Sequence, residues 1–239
     1  MIFSNTEFYY TPKEFISGNT IIIAEDEAKH IVKVMRHSIN DEIFVTNGEG
    51  IVYRAIIENI TKREVVAAVK EKFLFANKTE NLTFCIPILK SADRFEFALE
   101  KSVELGITNF LIFNAKKSYK RGVKIERWER ILLSAMKQSL QSFKPKIEFT
   151  NSLKTSLANK SNIIVFEQNA CVTLKSYLEN KSKIEAITEK ETYFIFGPEG
   201  GLTEEELNIK NGIKLKLTDN RLRAETAVIT VGSFLSLEK

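Results

Sequence analysis

The hydrophobic pattern of this chain changes character once, near residue 72, and that change constrains the fold more than any other feature. Before it, the apolar runs are short, β-branched and separated by turn residues. Thr20–Ala24 is an apolar run, Glu42–Thr46 alternates around Ile43 and Val45, and Ile51–Ile57 and Val65–Val69 are rich in Val and Ile. Such runs read as strands. Asn47-Gly48-Glu49-Gly50 lies between two of them and predicts a hairpin. One helix interrupts, Asp26–His37, with Ile31, Val34 and Met35 at i, i+3 and i+4. Short strands closing on themselves around one helix fit a small β-barrel.

From Phe73 onward, strands and helices alternate. Strand-like runs fall at Leu82–Leu89, Phe110–Phe113, Ile147–Phe149, Ile163–Phe166, Tyr193–Phe196 and Ile213–Leu217. Between them, Ser91–Leu105 has Phe95, Leu99 and Val103 on one helical face, with Gly106 placed to end it. Glu126–Gln141 repeats Ile131, Ala135 and Ser139, Thr173–Leu178 is a weaker helix, and Ala224–Leu237 is a final one. Thr203-x-x-Glu206 is a capping box. This alternation predicts an α/β domain with a largely parallel sheet. The expected division is therefore 1–72 and 73–239.

Composition narrows the class. The 239 residues are 44% hydrophobic and 28% charged, a globular balance with ample length for a core. Two cysteines, Cys85 and Cys171, and two histidines exclude a disulfide framework and the usual Cys/His zinc modules, so no metal is expected. No apolar stretch approaches the ~18 residues of a membrane span. The first residues lack a basic stretch followed by an apolar one, so a reducing cytoplasm is the expected location. Net charge is +4, unevenly spread. Residues 1–72 carry nine Lys and Arg against eleven Asp and Glu, 73–160 carry sixteen against eight, and 161–239 carry ten against twelve. Within 116–160 alone, twelve basic residues face three acidic ones. A localised basic stripe suits a polyanion such as RNA; a solvated helix face is the plainer alternative.

One segment stands out chemically: Phe194-Ile195-Phe196-Gly197-Pro198-Glu199-Gly200-Gly201-Leu202-Thr203. A buried strand enters a loop with three glycines and leaves through a capped helix. Such loops let a ligand approach the backbone, and in open α/β sheets they sit at the carboxyl ends of strands. It is neither a Walker A loop nor a Gly-x-Gly-x-x-Gly fingerprint. Glu199 would repel a phosphate and suits a cationic or hydroxyl-bearing ligand. A second segment, Leu222-Arg223-Ala224-Glu225-Thr226-Ala227, opens the last helix, where an acidic residue is favoured by the helix dipole. His30 and His37 are seven residues apart, too far for a shared metal on an unbroken helix, and His30 reads as structural by itself.

The combination is more specific than its parts. The two loops occur together with Glu100-Lys101-x-x-Glu104-Leu105-Gly106, Gln138-Ser139 and His30-x-x-x-Val34-Met35-Arg36. In this order, over nearly the whole chain, they resemble the RsmE family of 16S rRNA uridine-N3 methyltransferases, of the SPOUT class. The resemblance implies a PUA-like β-barrel at 1–72 that binds RNA, and a SPOUT-type α/β domain at 73–239 with a C-terminal trefoil knot. It implies S-adenosyl-L-methionine as methyl donor, a homodimer, and as partner the 16S rRNA of the small ribosomal subunit, methylated at one uridine of the decoding region. Carried over by position, Gly197, Pro198, Glu199, Gly200 and Gly201 form one cofactor loop. Leu217, Leu222, Thr226 and Ala227 belong to a second, and Phe166 and Glu167 to a third wall. Arg223 and Glu225 are the candidate catalytic residues. His30, Arg36, Lys116, Lys117, Arg121, Arg127 and Gln138 are candidate RNA contacts. Relatives usually carry Glu-Arg-Ser where this chain has Lys116-Lys117-Ser118. They also usually carry Glu-Gln and then Arg where it has Lys137-Gln138 and Gln141, and Gly where it has Thr218. Two other readings stay open on residues alone: an RNA-binding or ribosome-assembly module with a vestigial cofactor loop, and a nucleotide-binding enzyme.

Overall fold

Alternation of buried and exposed side chains builds the N-terminal sheet. The computed structural model describes residues 6–118, 122–179, 187 and 189–237. Its strands here are β1 (Phe8–Tyr10), β2 (Ile16–Ser17), β3 (Thr20–Ala24), β4 (Glu42–Thr46), β5 (Ile51–Ile60) and β6 (Glu64–Leu74). They form one sheet in the order β1-β4-β5-β6-β3-β2. Ile21 and Ile23 of β3 pair with Ala67 and Val65 of β6, and all four are fully buried. The hairpin joins β4 to β5 with Thr46 opposite Val52, and Gly48 and Gly50 both take positive φ. After β1, the Thr11 hydroxyl donates to the Ile22 carbonyl of β3 at 2.9 Å, so the sheet curls back on itself.

Two short strands, β1 and β2, were not predicted from the sequence. They have three and two residues, and β1 pairs in parallel with the distant β4. The predicted helix Asp26–His37 is instead α1 (Glu25–Lys29) followed by one π-helical turn, His30–Val34. Met35 N–H donates to the His30 carbonyl and His37 N–H to that of Ile31, so the turn holds an extra residue. That rotates Val34 and Met35 off the buried face; they are 63% and 43% exposed, while Ile31 is buried. Arg36 then takes φ +59°. The widened turn brings both histidines to Tyr9. The His37 ring nitrogen lies 3.1 Å from the Tyr9 hydroxyl, and His30 is 2.7 Å from the Glu7 carboxylate. Burial, then the carboxylates of Glu7 and Glu27, push the Tyr9 phenol well above its usual range.

The second sheet contains β7 (Leu82–Pro87), β8 (Asn109–Phe113), β9 (Lys146–Thr150), β10 (Asn162–Phe166), β11 (Thr192–Ile195) and β12 (Gly212–Leu215). Its order is β12-β10-β11-β7-β8-β9, and every pairing is parallel. Runs such as Ile163-Ile164-Val165 are buried throughout, as strands covered on both faces must be. The helices are α2 (Ala92–Glu104), α3 (Ile125–Gln138), α4 (Leu153–Ser156), α5 (Leu174–Leu178), α6 (Glu204–Leu207) and α7 (Ala224–Leu237). Helix α2 packs on α7, where Gly232 lets Leu105 and Phe84 come close. The buried face of α3 is Trp128, Leu132, Ala135 and Met136, one residue off the predicted Ile131 register, because the ring of Trp128 packs on Phe95 at 4.9 Å.

The described residues fall into two compact units, one within 1–77 and 133–144 and the other within 78–132 and 145–239. The end of α3 and the segment after it therefore belong with the first sheet. Gly50 N–H donates to the Ser142 carbonyl and Lys144 N–H to that of Gly48. Lys137 is paired with Glu27 at 2.7 Å, and the other Glu27 oxygen accepts from Tyr10 N–H. Among the described residues no helix is long and apolar enough to cross a membrane.

Candidate functional site

Sheet order decides where the site lies. β12, β10 and β11 are adjacent and parallel, so the loops that follow them leave from the same end. Next to them the order reverses: β7 leads away toward β8, whereas β11 leads back across β10 to β12. A crevice forms at such a switch point. Here it is a cleft of about 730 Å³, within the range of small-molecule sites.

Three loops build most of its wall. The first follows β10 and contributes Phe166, Glu167, Gln168 and Asn169. Phe166 stacks on Phe196 with centroids 5.1 Å apart, giving the cleft an apolar floor. The second runs from Phe196 to Gly201. Gly201 N–H closes a turn on the Pro198 carbonyl at 2.8 Å, with Gly201 at φ +71°. The turn feeds α6, whose capping box is complete: the Thr203 hydroxyl accepts from Glu206 N–H, and Glu206 accepts from Thr203 N–H. Gly200 abuts the loop after β8, where a Cβ would stand 3.1 Å from Lys117 Cβ and 3.3 Å from the Lys117 carbonyl oxygen. The third loop follows β12 and contributes Leu217, Arg221, Leu222, Arg223, Ala224 and Ala227. The Gln168 amide ties the first loop to the third, donating to the Thr218 and Asp219 carbonyls at 3.1 and 3.2 Å. The Lys216 ammonium holds the Asp219 carboxyl below the usual range.

Three charged side chains of this cleft are anchored. Glu199 accepts from Lys90 N–H at 3.1 Å, which fixes a carboxylate on the second loop. Glu167 lies 3.7 Å from the Lys214 ammonium. Arg94, from the first turn of α2, reaches the cleft and lies 3.5 Å from a Glu225 oxygen. Glu225 is only 9% exposed, and its second oxygen is buried with no hydrogen-bond partner. Asn114 Oδ1 and Ser118 Oγ, near the loop that touches Gly200, are buried without a partner as well.

Most of the residues expected at a cofactor site thus line one cleft: Phe166, Glu167, Gly197 to Gly201, Leu217, Leu222 and Ala227, with Arg223 beside them. Thr226 is exposed and outside the lining, and Glu225 lies behind it. Sequence reasoning missed Gln168, Asn169, Phe196, Arg221, Ala224 and Arg94. The switch-point rule would have pointed to Arg94, the third residue of the helix after β7. The expected RNA contacts are spread more widely. In the first unit, His30 is paired with Glu7, Arg36 is exposed, and Gln138 is exposed at the end of α3. In the second, Arg127 forks onto Glu96, Lys116 lies 3.9 Å from Glu205, and the Lys117 backbone packs on Gly200. Arg121 lies outside the described residues. Among the described residues no three His, Cys, Asp or Glu side chains gather as metal ligands.

A parallel sheet with three loops gathered at its switch point is a ligand-binding α/β architecture. Residues 76–236 match the family model for an RNA methyltransferase domain, and 23–70 that for an RNA methyltransferase PUA domain. The expected fold class, an α/β methyltransferase domain preceded by a PUA-like one, is the one observed. Ribosomal RNA small subunit methyltransferase E of Rickettsia conorii is 30% identical over 92% of this chain and 91% of its own. Its namesake from Bacillus subtilis is 27% identical over 95% and 94%. The chain belongs to the ribosomal RNA small subunit methyltransferase E family. The crystal structure of that enzyme from Neisseria gonorrhoeae, bound to S-adenosyl methionine, has the same fold, with a TM-score of 0.85 at 24% identity over 98% of both chains.

Proposed function

We propose that this chain methylates N3 of one uridine in the decoding region of 16S rRNA, using S-adenosyl-L-methionine. The carrying observation is the convergence of three loops from adjacent parallel strands on one cleft of about 730 Å³, in a chain of this family. The residues present fit the cofactor. Phe166, backed by the buried Phe196, offers a flat apolar surface to a purine, and the loop backbones offer N–H and C=O groups to its edge. Glu199, fixed by Lys90 N–H, offers negative charge to a sulfonium. The cofactor supplies an electrophilic methyl group.

The chain's own task is to align a uracil nitrogen and exclude competing water. Uracil N3 is a poor nucleophile while protonated, so a cation near its carbonyl oxygens helps. Arg223 is a candidate at the cleft, with Glu225 behind the wall. The 73–239 segment is the transferase on this reading, and 1–72 is an RNA-binding domain. His30 and Arg36 of that domain, with Lys116, Lys117, Arg121, Arg127 and Gln138 further along the chain, are the RNA contacts. A homodimer, a cytoplasmic location and a C-terminal trefoil knot belong to the same reading.

Isothermal calorimetry with S-adenosylmethionine, followed by methylation of small subunits from a strain lacking this gene, tests it. Binding and a methyl group at N3 of one uridine are expected. Absence of both would leave an RNA-binding module with a vestigial loop. RNA affinity is expected to fall with salt by about one unit of log–log slope per phosphate contact.

A further inference from the structure

Of the described residues lining the cleft, all but Arg94 come from the three loops and the start of α7. Arg94 comes from α2, across the switch point, where Ser91 caps the helix and accepts from Arg94 N–H. If the three loops hold the methyl donor, Arg94 faces what the donor faces. We infer that Arg94 is a catalytic residue, donating to a carbonyl oxygen of the target uracil and holding the charge that forms as N3 loses its proton. Glu225 acts through it as a positioning residue. The inference rests on the function proposed above and adds a residue to it.

The geometry favours Arg94 over its neighbours for this task. Arg223 is exposed, with no ion-pair partner recorded among the described residues. Arg94 is anchored from behind by a carboxylate that is nine-tenths buried, through one contact of 3.5 Å. A guanidinium carries five N–H donors in a planar fork, so one such contact leaves others for the cleft, and the side chain is 43% exposed. The Glu225 oxygen 3.5 Å from Nε stands against that fork and fixes where it points.

The same carboxylate selects the ligand. A second full carboxylate, such as the amino-acid end of the methyl donor, would crowd a like charge against Glu225. A uracil is neutral on arrival and becomes an anion spread over N3 and two carbonyl oxygens. Arg94 therefore meets its charge in the reaction rather than on binding, which is how an interaction raises rate. In the balanced step, the N3 proton leaves to solvent and the N3–methyl bond forms as the methyl–sulfur bond breaks. The sulfonium departs as a neutral thioether.

The test compares the wild type, Arg94→Met, Arg94→Lys, and Arg94→Met combined with Glu225→Leu, using the full chain and unmethylated small ribosomal subunits. Arg94→Met is expected to lower kcat by about 100-fold or more with S-adenosylmethionine affinity unchanged by calorimetry. Its kcat is expected to climb with pH into a more alkaline range, because the base must then ionise unaided. Arg94→Lys recovers part of the rate. Arg94→Met alone also lowers Tm, since Glu225 is left buried and unpaired. Adding Glu225→Leu restores Tm and leaves kcat low. If kcat returns together with Tm, Arg94 is structural and the inference is overturned. Weakened cofactor affinity at full kcat overturns it too, and assigns Arg94 to the donor's carboxylate. If the wild type binds the donor and Arg94→Met keeps full kcat, only this inference fails. If the wild type binds no donor, the proposed function fails and this inference falls with it.

Discussion

Both sheets have six strands, and they use them in opposite ways. In the N-terminal sheet all pairings but β1 with β4 are antiparallel, so turns are shared between the two ends. Its polar groups are spent on each other: His37 on Tyr9, His30 on Glu7, Lys137 on Glu27. In the C-terminal sheet every strand points the same way, and the carboxyl-end loops gather at one edge. There Glu225 and two neighbours of the Gly200 contact keep buried polar atoms unpartnered. Strand direction, more than composition, decides which half has chemistry left over for a ligand.

That contrast can be broken by substitution. The largest effect is expected from Gly200→Val, whose branched side chain meets the Lys117 backbone. It should weaken S-adenosylmethionine binding about 100-fold, roughly 2.7 kcal/mol, and wild-type affinity by calorimetry would refute the role given to this loop. Next is Gly232→Val, which drives carbon into Leu105 and Phe84 between α7 and the sheet. Overpacking of this kind costs about 2.5 kcal/mol, read by urea denaturation. Lys137→Met belongs to the other sheet and strips Glu27 of its ammonium, where both side chains are 17% exposed. A loss of roughly 2 kcal/mol is expected, below that of a fully buried pair, with cofactor affinity untouched. A change in that affinity would break the division of labour between the sheets.

The smallest effect concerns pH. The Arg127 fork, first by its hydrogen bonds and then by its charge, holds the Glu96 carboxyl below its ordinary value. A carboxyl whose folded value is depressed stabilises the fold above its unfolded value, and loses that contribution as pH falls through the folded one. Glu96→Gln should therefore lower Tm slightly at pH 7, and the deficit should shrink as pH falls below the ordinary carboxylate range. A deficit that persists in acid would mean that packing, not charge, carries the pair.

Much of this was legible in the sequence, where local rules apply. Thr203 and Glu206 announced their cap, Asn47 to Gly50 their hairpin, and Ser91 and Gly106 the two ends of α2. The glycine-rich loop and the segment opening α7 were legible as motifs, and strand order then brought them to one cleft. What stayed hidden depends on distant partners. Nothing near Phe8–Tyr10 tells that it pairs with β4. The π turn after Lys29 shifts Val34 and Met35 without any Pro or Gly to mark it. Trp128 sets the face of α3 by meeting Phe95. Arg94 looks like any first-turn arginine until α7 places Glu225 beside it.

The meeting of Gly200 with residue 117 has a wider meaning. Gly200 lies against the carbonyl oxygen and Cβ of Lys117, atoms common to nearly every amino acid. The rest of that side chain is free to vary without disturbing the loop. A lysine, or another residue with a Cβ, can therefore stand at 117 while the Gly200 loop keeps its shape. The freedom at 117 is bought entirely by the absence of a side chain at 200.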